Sequence, residues 1–448
     1  MNTRGSFLSC WSQIVKMAFP ILLSLLCIQA MEVIDTIMIG DLGVTHLAAA
    51  AFCNSIIGIF FIVGTGFSTG VSVLVARSLG AKVYSSCNKI LHTSIWINIF
   101  FALIMLAVLE IIRHHLEFFG QQDEVRAISL NYFLLVELSI VPHIFFQVYK
   151  HFTDGLGKTV PGTLALLCSL FMNILFNWIF IYGNWGAPKL GLEGAGLGTL
   201  LTRILLAIFY FVYLSTSSSF TSFQLSLFSF NRGFPFIKPL LKIGIPSSMQ
   251  YFFEIGIFSS ATIMAGWIDS ITLASHQIAL KIASICFMLP LSLSYSASIN
   301  IGNVIGEKKF QLARKMGFAS IGLTVFIMSL CGLALWLGRS AIPPFFIEVQ
   351  EVLDIVASLI MITAIFQIFD GTQAVAVGVL RAYLDTKIPV LFTFVAYWLI
   401  SFPSAYILAF YFDKGVYGLW YGLMLGLCTS SFLLNIRFFF LSKKSIAS

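Results

Sequence analysis

Apolar runs, most of them twenty residues or longer, follow one another from near the start of this chain almost to its end, separated by polar, Gly/Pro-rich or charged stretches. A run of about 20 residues lets an α-helix cross the ~30 Å hydrocarbon layer of a bilayer. Barrel strands would instead alternate in stretches of about 10 residues. The runs are twelve, roughly 12–39, 48–76, 89–112, 127–150, 159–183, 193–215, 237–266, 273–300, 315–338, 352–380, 387–411 and 416–440. Charged residues make up 10% of the chain, against about 25% in a soluble domain. The sequence therefore predicts an all-α polytopic membrane protein with twelve transmembrane helices. The N-terminal run is too long for a signal-peptide core and has no clear small-x-small cleavage site, so it is expected to stay as the first helix.

An even number of spans puts both termini on one side. With the termini in the cytoplasm, nineteen Lys and Arg residues, Arg4 and Arg232 among them, fall on the cytoplasmic side and five on the outer side. That bias sets the expected orientation in the cell inner membrane. Because the net charge of +7 is distributed this way, it is no sign of nucleic-acid binding. The eight cysteines lie at no metal-ligand spacing and mostly inside apolar runs, where Cys acts as a small hydrophobe.

The chain also repeats itself. KMAFP (16–20) matches KIGIP (242–246), HLAAA (46–50) falls against TLASH (272–276), and RSLGAK (77–82) against NVIGEK (303–308), all at an offset of 226. LGKTVP (156–161) matches LDTKIP (384–389) at 228, and GLEGAGLG (191–198) resembles GVYGLWYG (415–422) at 224. A repeat of six helices inserts both halves the same way round. Two six-helix bundles related by a pseudo-twofold along the membrane normal are expected: 1–215, a Ser-rich cytoplasmic linker at 216–236, and 237–448. Such duplication is characteristic of secondary transporters.

Acids inside the spans carry the chemistry. An ionised carboxylate in hydrocarbon costs at least ~2.5–3.5 kcal/mol. Glu32 and Asp35 lie in the first span, Glu254 in the seventh and Asp370 in the tenth, with Glu137 a further candidate in the fourth. Protonated, such a group is neutral; ionised, it is a hard oxygen ligand for a small cation. Either form permits coupling to an ion gradient, and Glu254 and Asp370 are the candidate Na⁺ ligands. The bland alternative is a structural acid paired with Lys281. Glu32 and Asp35 share a helix face, as do Asn173 and Asn177, which offer donors and acceptors in the fifth span. At the repeat offsets Asp370 falls against Pro142, Glu254 against Ile28 and Asp35 against Ala261. The halves share a scaffold and differ in chemistry.

MEVIDTIMIGDLG (31–43), the paired KxxxP helix starts, NILFNWIFIYGNWGAPKLGLEGAGLGT (173–199) and IFDGTQAVAVGVLRAYLDTKIP (368–389) together resemble the MATE multidrug exporters, in particular their NorM-like branch. The resemblance covers the whole chain. It implies two bundles forming a V-shaped cavity, and export of cationic, often aromatic compounds in exchange for Na⁺ or H⁺ by alternating access, with no cofactor beyond that ion. It further implies Asp35 as the carboxylate of the N-terminal lobe, Asn173 and Asn177 as its polar neighbours, Thr199 or Thr202 as weaker candidates, and Glu254 and Asp370 as ion-coupling acids of the C-terminal lobe, with Asp354 a possible addition. Glu32 is an extra acid beyond the motif.

The 45 Phe, 14 Tyr and 8 Trp suit small organic cations through cation–π contact, although most such rings pack or face lipid. A flippase or exporter of a lipid-linked or metabolite substrate is the alternative. Cationic groups would be expected in its cavity, yet only Arg203 and Lys281 lie within spans. The acids also break the symmetry a repeated channel motif would keep. No HExxH or CxxC constellation is present, so an enzyme is not expected. A monomer in the lipid bilayer is the expected state.

Overall fold

The computed structural model describes residues 7–223 and 233–447. Arg4, Arg232 and residues 224–232 of the connector at 216–236 lie outside the described residues. Among the described residues, twelve helices are long and apolar enough to cross a membrane: α1 (Phe7–Gly40), α2 (Val44–Gly80), α3 (Tyr84–His114), α4 (Asp123–Gly155), α5 (Val160–Tyr182), α6 (Leu192–Thr216), α7 (Ile237–Ile268), α8 (Ser270–Gly306), α9 (Phe310–Gly338), α10 (Gln350–Ala382), α11 (Lys387–Tyr411) and α12 (Gly415–Ile446). Each expected span coincides with one helix. In hydrocarbon only a structure that satisfies its own backbone can span, and helices do so segment by segment. All eight cysteines are free.

The sequence repeat is visible in the backbone. The α2–α3 and α8–α9 turns place a lysine in the left-handed region at matching positions, Lys82 (φ 58°) and Lys308 (φ 61°). In both, the lysine N–H donates three residues back, to Leu79 and to Ile305, at 2.9 Å. Gly191 (φ 57°), just before α6, and Gly415 (φ 53°), the first residue of α12, lie at the offset of 224. Behind them, small residues let helix backbones meet. Gly194 and Gly198 of α6 sit against Phe180 and Asn177 of α5. Their repeat partners in α12, Gly418 and Gly422, sit against Ala409 and Ala405 of α11, and Gly426 against Ser401. Stripes of small residues spaced four apart are how helices pack closely in lipid.

Two compact units emerge, Leu23–Ser248 and Met249–Ser448 joined by Met1–Leu22. The division falls inside α1 and α7, two residues past Pro20 and Pro246, rather than in the 216–236 connector. The start of α1 places Cys10, Ile14 and Ala18 in a core with Ala297, Ile301 and Phe438 of the C-terminal unit. The start of α7 places Ile243 against Gly70, and Gly244 against Phe67, in the N-terminal unit. The N-terminal unit has its own core around Ile57, Leu109, Phe133 and Ile140. Large apolar side chains stay outward, among them Phe100, Ile111, Phe171 and Leu337, as helices facing lipid tails require.

Two helices are irregular. α4 breaks at Ser139 between Asp123–Leu138 and Ile140–Gly155; Pro142 has no N–H to give the Leu138 carbonyl, and a missing bond of that kind kinks a helix. α11 widens into π-helical turns at Val395–Ser401 and Ile407–Tyr411, with Pro403 between them. Such wide turns recur at functional sites. Outside the spans, Asp269 caps α8: its Oδ1 accepts the Thr272 N–H at 2.6 Å, and backbone donation holds this carboxyl below the usual carboxylate range.

If α11 and α12 approach through their small-residue stripes, Gly422→Leu forces them apart at a cost of about 1–3 kcal/mol. The melting temperature in detergent is expected to fall by several degrees. A melting temperature equal to that of the parent protein would contradict the close approach.

Candidate functional site

The N-terminal unit builds its polar centre from α1, α5 and α6. Asn173 and Asn177 are fully buried and lie one turn apart on α5. The Asn177 Nδ2 donates to Asp35 Oδ1 at 2.6 Å and, more loosely, to Asn173 Oδ1 at 3.4 Å. Gly198 on α6 makes room for the Asn177 amide. Asn177 Oδ1 and Asn173 Nδ2 have no hydrogen-bond partner although buried. Buried polar atoms are normally satisfied, so these two are exceptions. Arg203 of α6 lies within electrostatic reach of Asp35. Its guanidinium donates to Ser139 Oγ at the α4 break, at 2.7 Å, and covers the Phe61 ring at 4.0 Å.

In the sequence Arg203 is simply a cation within a span; the fold brings it within electrostatic reach of Asp35. Glu32 is exposed and also within electrostatic reach of Asp35. Thr202 turns its hydroxyl to its own helix, donating to the Gly198 carbonyl at 2.7 Å.

The C-terminal unit draws its polar centre from α7, α10 and α11. Asp370 is 6% exposed, and its Oδ1 is buried with no hydrogen-bond partner. Glu254 of α7 lies within electrostatic reach of it. From the first π-helical segment of α11, the Tyr397 hydroxyl donates to Gln373 Oε1 at 2.6 Å, and both carboxylates act electrostatically on Tyr397. An unpartnered carboxylate oxygen within electrostatic reach of a second carboxylate suits a small hard cation or a proton. Among the described residues no three His, Cys, Asp or Glu side chains come together as a metal cluster.

The expected acids thus fall into two separate centres, Asp35 with Asn173 and Asn177 in one unit, and Glu254 with Asp370 in the other. Asp354 joins neither. It is exposed near the start of α10, bound by Gln350, about 24 Å along the helix from Asp370 at 1.5 Å per residue. Lys281 forms no ion pair with any of the acids among the described residues. Glu137 is buried at 1% and lies 3.6 Å from Arg113, which holds Glu110 by two bonds; it belongs to an ion-pair cluster between α3 and α4. His276 is fully buried. Trp420 Nε1–H can only donate, and it points at His276 Nδ1 at 3.1 Å, so the ring proton sits on Nε2, facing Thr262 Oγ1 at 3.1 Å. That is a structural tautomer, locked from both sides.

Gln367, Gln373 and Tyr397 were missed by the sequence reading. Gln367, Asp370 and Gln373 are three residues apart and share one face of α10, a signal that was present in QIFDGTQ. Tyr397 carried no such signal, since only the tertiary fold brings it to Gln373.

Comparison with known proteins gives a consistent result. The MatE family model matches the chain twice, over residues 20–179 and 246–407, in register with the internal repeat. A Rhizobium meliloti protein named "Probable multidrug resistance protein NorM" is 32% identical over 94% of this chain and 91% of its own length. A protein of the same name from Bacillus licheniformis is 31% identical over 95% of this chain and 94% of its own length. Among solved structures, the eukaryotic MATE transporter AtDTX14 superposes with a TM-score of 0.89 at 22% identity, covering 98% of both chains. The Vibrio cholerae MATE transporter VcmN in its bent form gives 0.88 at 18% identity, also over 98% of this chain.

The Asn177–Asp35 bond is testable by a double-mutant cycle. Asn177→Ala and Asp35→Asn should each lower the melting temperature, and together they should be non-additive by about 0.5–3 kcal/mol. Strict additivity would show that the two side chains do not interact.

Proposed function

The chain belongs to the MatE family of membrane transporters, and from that premise we propose that it is a secondary active multidrug exporter. It carries small organic cations, many of them aromatic, out of the cell in exchange for Na⁺ or H⁺ moving inward, by alternating access. It resides in the cell inner membrane as a monomer, with both termini in the cytoplasm. The names of its relatives support multidrug export, and the distribution of its Lys and Arg residues supports the orientation.

One observation carries the reading: Asp370, deep in α10, leaves a buried carboxylate oxygen without a partner, within electrostatic reach of Glu254. Leaving a buried acceptor unmet costs roughly 1–3 kcal/mol, more when the group is charged. An ion or proton that meets it is therefore bound, and its arrival and departure change which conformation is favoured. Asp370 and Glu254 hold the coupling ion. Asp35, with the Asn173 and Asn177 amides, provides a separate acidic site, and Glu32 lies at its edge.

The driving force is adequate. A tenfold gradient supplies about 1.4 kcal/mol per ion, and a potential of 100 mV about 2.3 kcal/mol per charge.

In a host lacking its own drug pumps, Asp370→Asn is expected to lower efflux of a fluorescent organic cation at least ~10-fold while leaving the protein in the membrane at parental abundance. Undiminished efflux would remove Asp370 from the coupling role. A protease site added after Ser448 should be cut from the cytoplasmic side only; cutting from outside would reverse the orientation.

A further inference from the structure

Glu137 is a buried acid that neither polar centre uses. It lies in the first segment of α4, two residues before the break at Ser139, and is only 1% exposed. Its Oε2 is buried with no hydrogen-bond partner. Its Oε1 lies 3.6 Å from Arg113 Nε of α3, which is too long for a hydrogen bond. The same Nε donates to Glu110 Oε2 at 2.8 Å, and Arg113 Nη2 donates to Glu110 Oε1 at 2.6 Å. The guanidinium fork is therefore closed on Glu110, one turn earlier on its own helix, and Glu137 is left at its edge.

The other helices packed on this part of α4 are α2 and α6. The charged groups of α6 are engaged elsewhere: Glu193 accepts from Asn131 at 2.7 Å, and Arg203 donates to Ser139 Oγ at 2.7 Å. From α2 come Asn54, which accepts from the Tyr132 hydroxyl at 3.2 Å, and the Cys53 thiol, directed at the Ser129 carbonyl. On α3 the exposed His114 lies 3.5 Å from Glu110. Among the described residues, Arg113 is the one cation within ion-pair distance of Glu137.

Two carboxylates on one guanidinium leave one negative charge over. An ionised carboxylate inside a span is costly, and where two carboxylates share a site one of them keeps its proton. Glu110 has both hydrogen bonds to the fork and a side chain 41% exposed; Glu137 has neither the bonds nor the water. We propose that Glu137, held against Arg113 and Glu110, is a proton-binding site separate from both polar centres. With the proton on Glu137 the three side chains carry no net charge, and the exposed Glu110 opens the site to water. α3 ends on the face opposite the termini, which is the outer face in the orientation proposed above, so the site responds to outer pH. Loss of the proton leaves a buried negative charge beside the α4 break and loosens α3 from α4. The proton site itself depends neither on that orientation nor on the coupling role of Asp370 and Glu254.

The test is infrared difference spectroscopy across a pH series on the purified full-length protein in detergent, reading the C=O stretch of protonated carboxyl groups, alongside the melting temperature. Other buried acids contribute to that band, so the readout is the component that one substitution removes. Glu137→Gln should remove one such component. It should melt with the parent at low pH and several degrees above it at high pH, because the amide keeps the shape without the charge. An ionised Glu137 serving as a second ion-pair partner of Arg113 gives the opposite result. Glu137→Gln would then remove no component and would melt below the parent at neutral pH, since Arg113 loses a partner. That result overturns the proposal.

Glu110→Gln gives a second, independent reading. It frees the Arg113 fork for Glu137, which then ionises, so the same component should vanish at neutral pH although Glu137 is still present. Glu110 is exposed on α3, and this variant is expected to fold. Should Glu137→Gln fail to fold, Glu110→Gln decides: loss of a C=O component upholds the proton site, and a band identical to that of the parent overturns it.

Discussion

In hydrocarbon no water is present to take up a backbone N–H or to solvate a carboxylate. The first condition accounts for the architecture. Every spanning segment here is a helix, and departures from regular helix fall where a proline withholds a donor, at Pro142 in α4 and Pro403 in α11. The second condition accounts for the chemistry. A carboxylate at that depth needs a partner, and Asp35 has one in Asn177. Asp370 leaves an oxygen open, which is the basis for proposing an ion or proton as its partner.

Duplication supplied the scaffold and left the chemistry free to diverge. The left-handed lysines at 82 and 308, the glycines opening α6 and α12, and the glycines behind them recur because they are backbone requirements of the same turns and close approaches. The ionisable groups do not recur. The N-terminal unit pairs Lys150 with Asp154 and sets Arg203 within electrostatic reach of Asp35, while the C-terminal unit buries Arg381 in the last turn of α10 with no ion pair among the described residues. Two copies of one fold thus hold two differently charged centres.

The helices were readable in the sequence because length and apolarity alone decide them in a membrane, and the repeat was readable because glycines and turns repeat with their neighbours. The acids stood out because a charge in an apolar run is rare. What surrounds them was mostly hidden. Tyr397 meets Gln373 only because α11 packs beside α10, and His276 is locked by Trp420 from a helix far along the chain. The starts of α1 and α7 pack in the unit of the opposite sequence half, since pairing across that distance leaves no periodic trace.

The central claim is that an ion held by Asp370 and Glu254 drives export. Efflux of a fluorescent organic cation from proteoliposomes containing only this protein tests it, with an imposed Na⁺ gradient compared against an imposed pH gradient. The account predicts export driven by at least one of the two and abolished when that gradient is collapsed. Export that proceeds equally with both gradients collapsed, or that neither gradient drives, would contradict it.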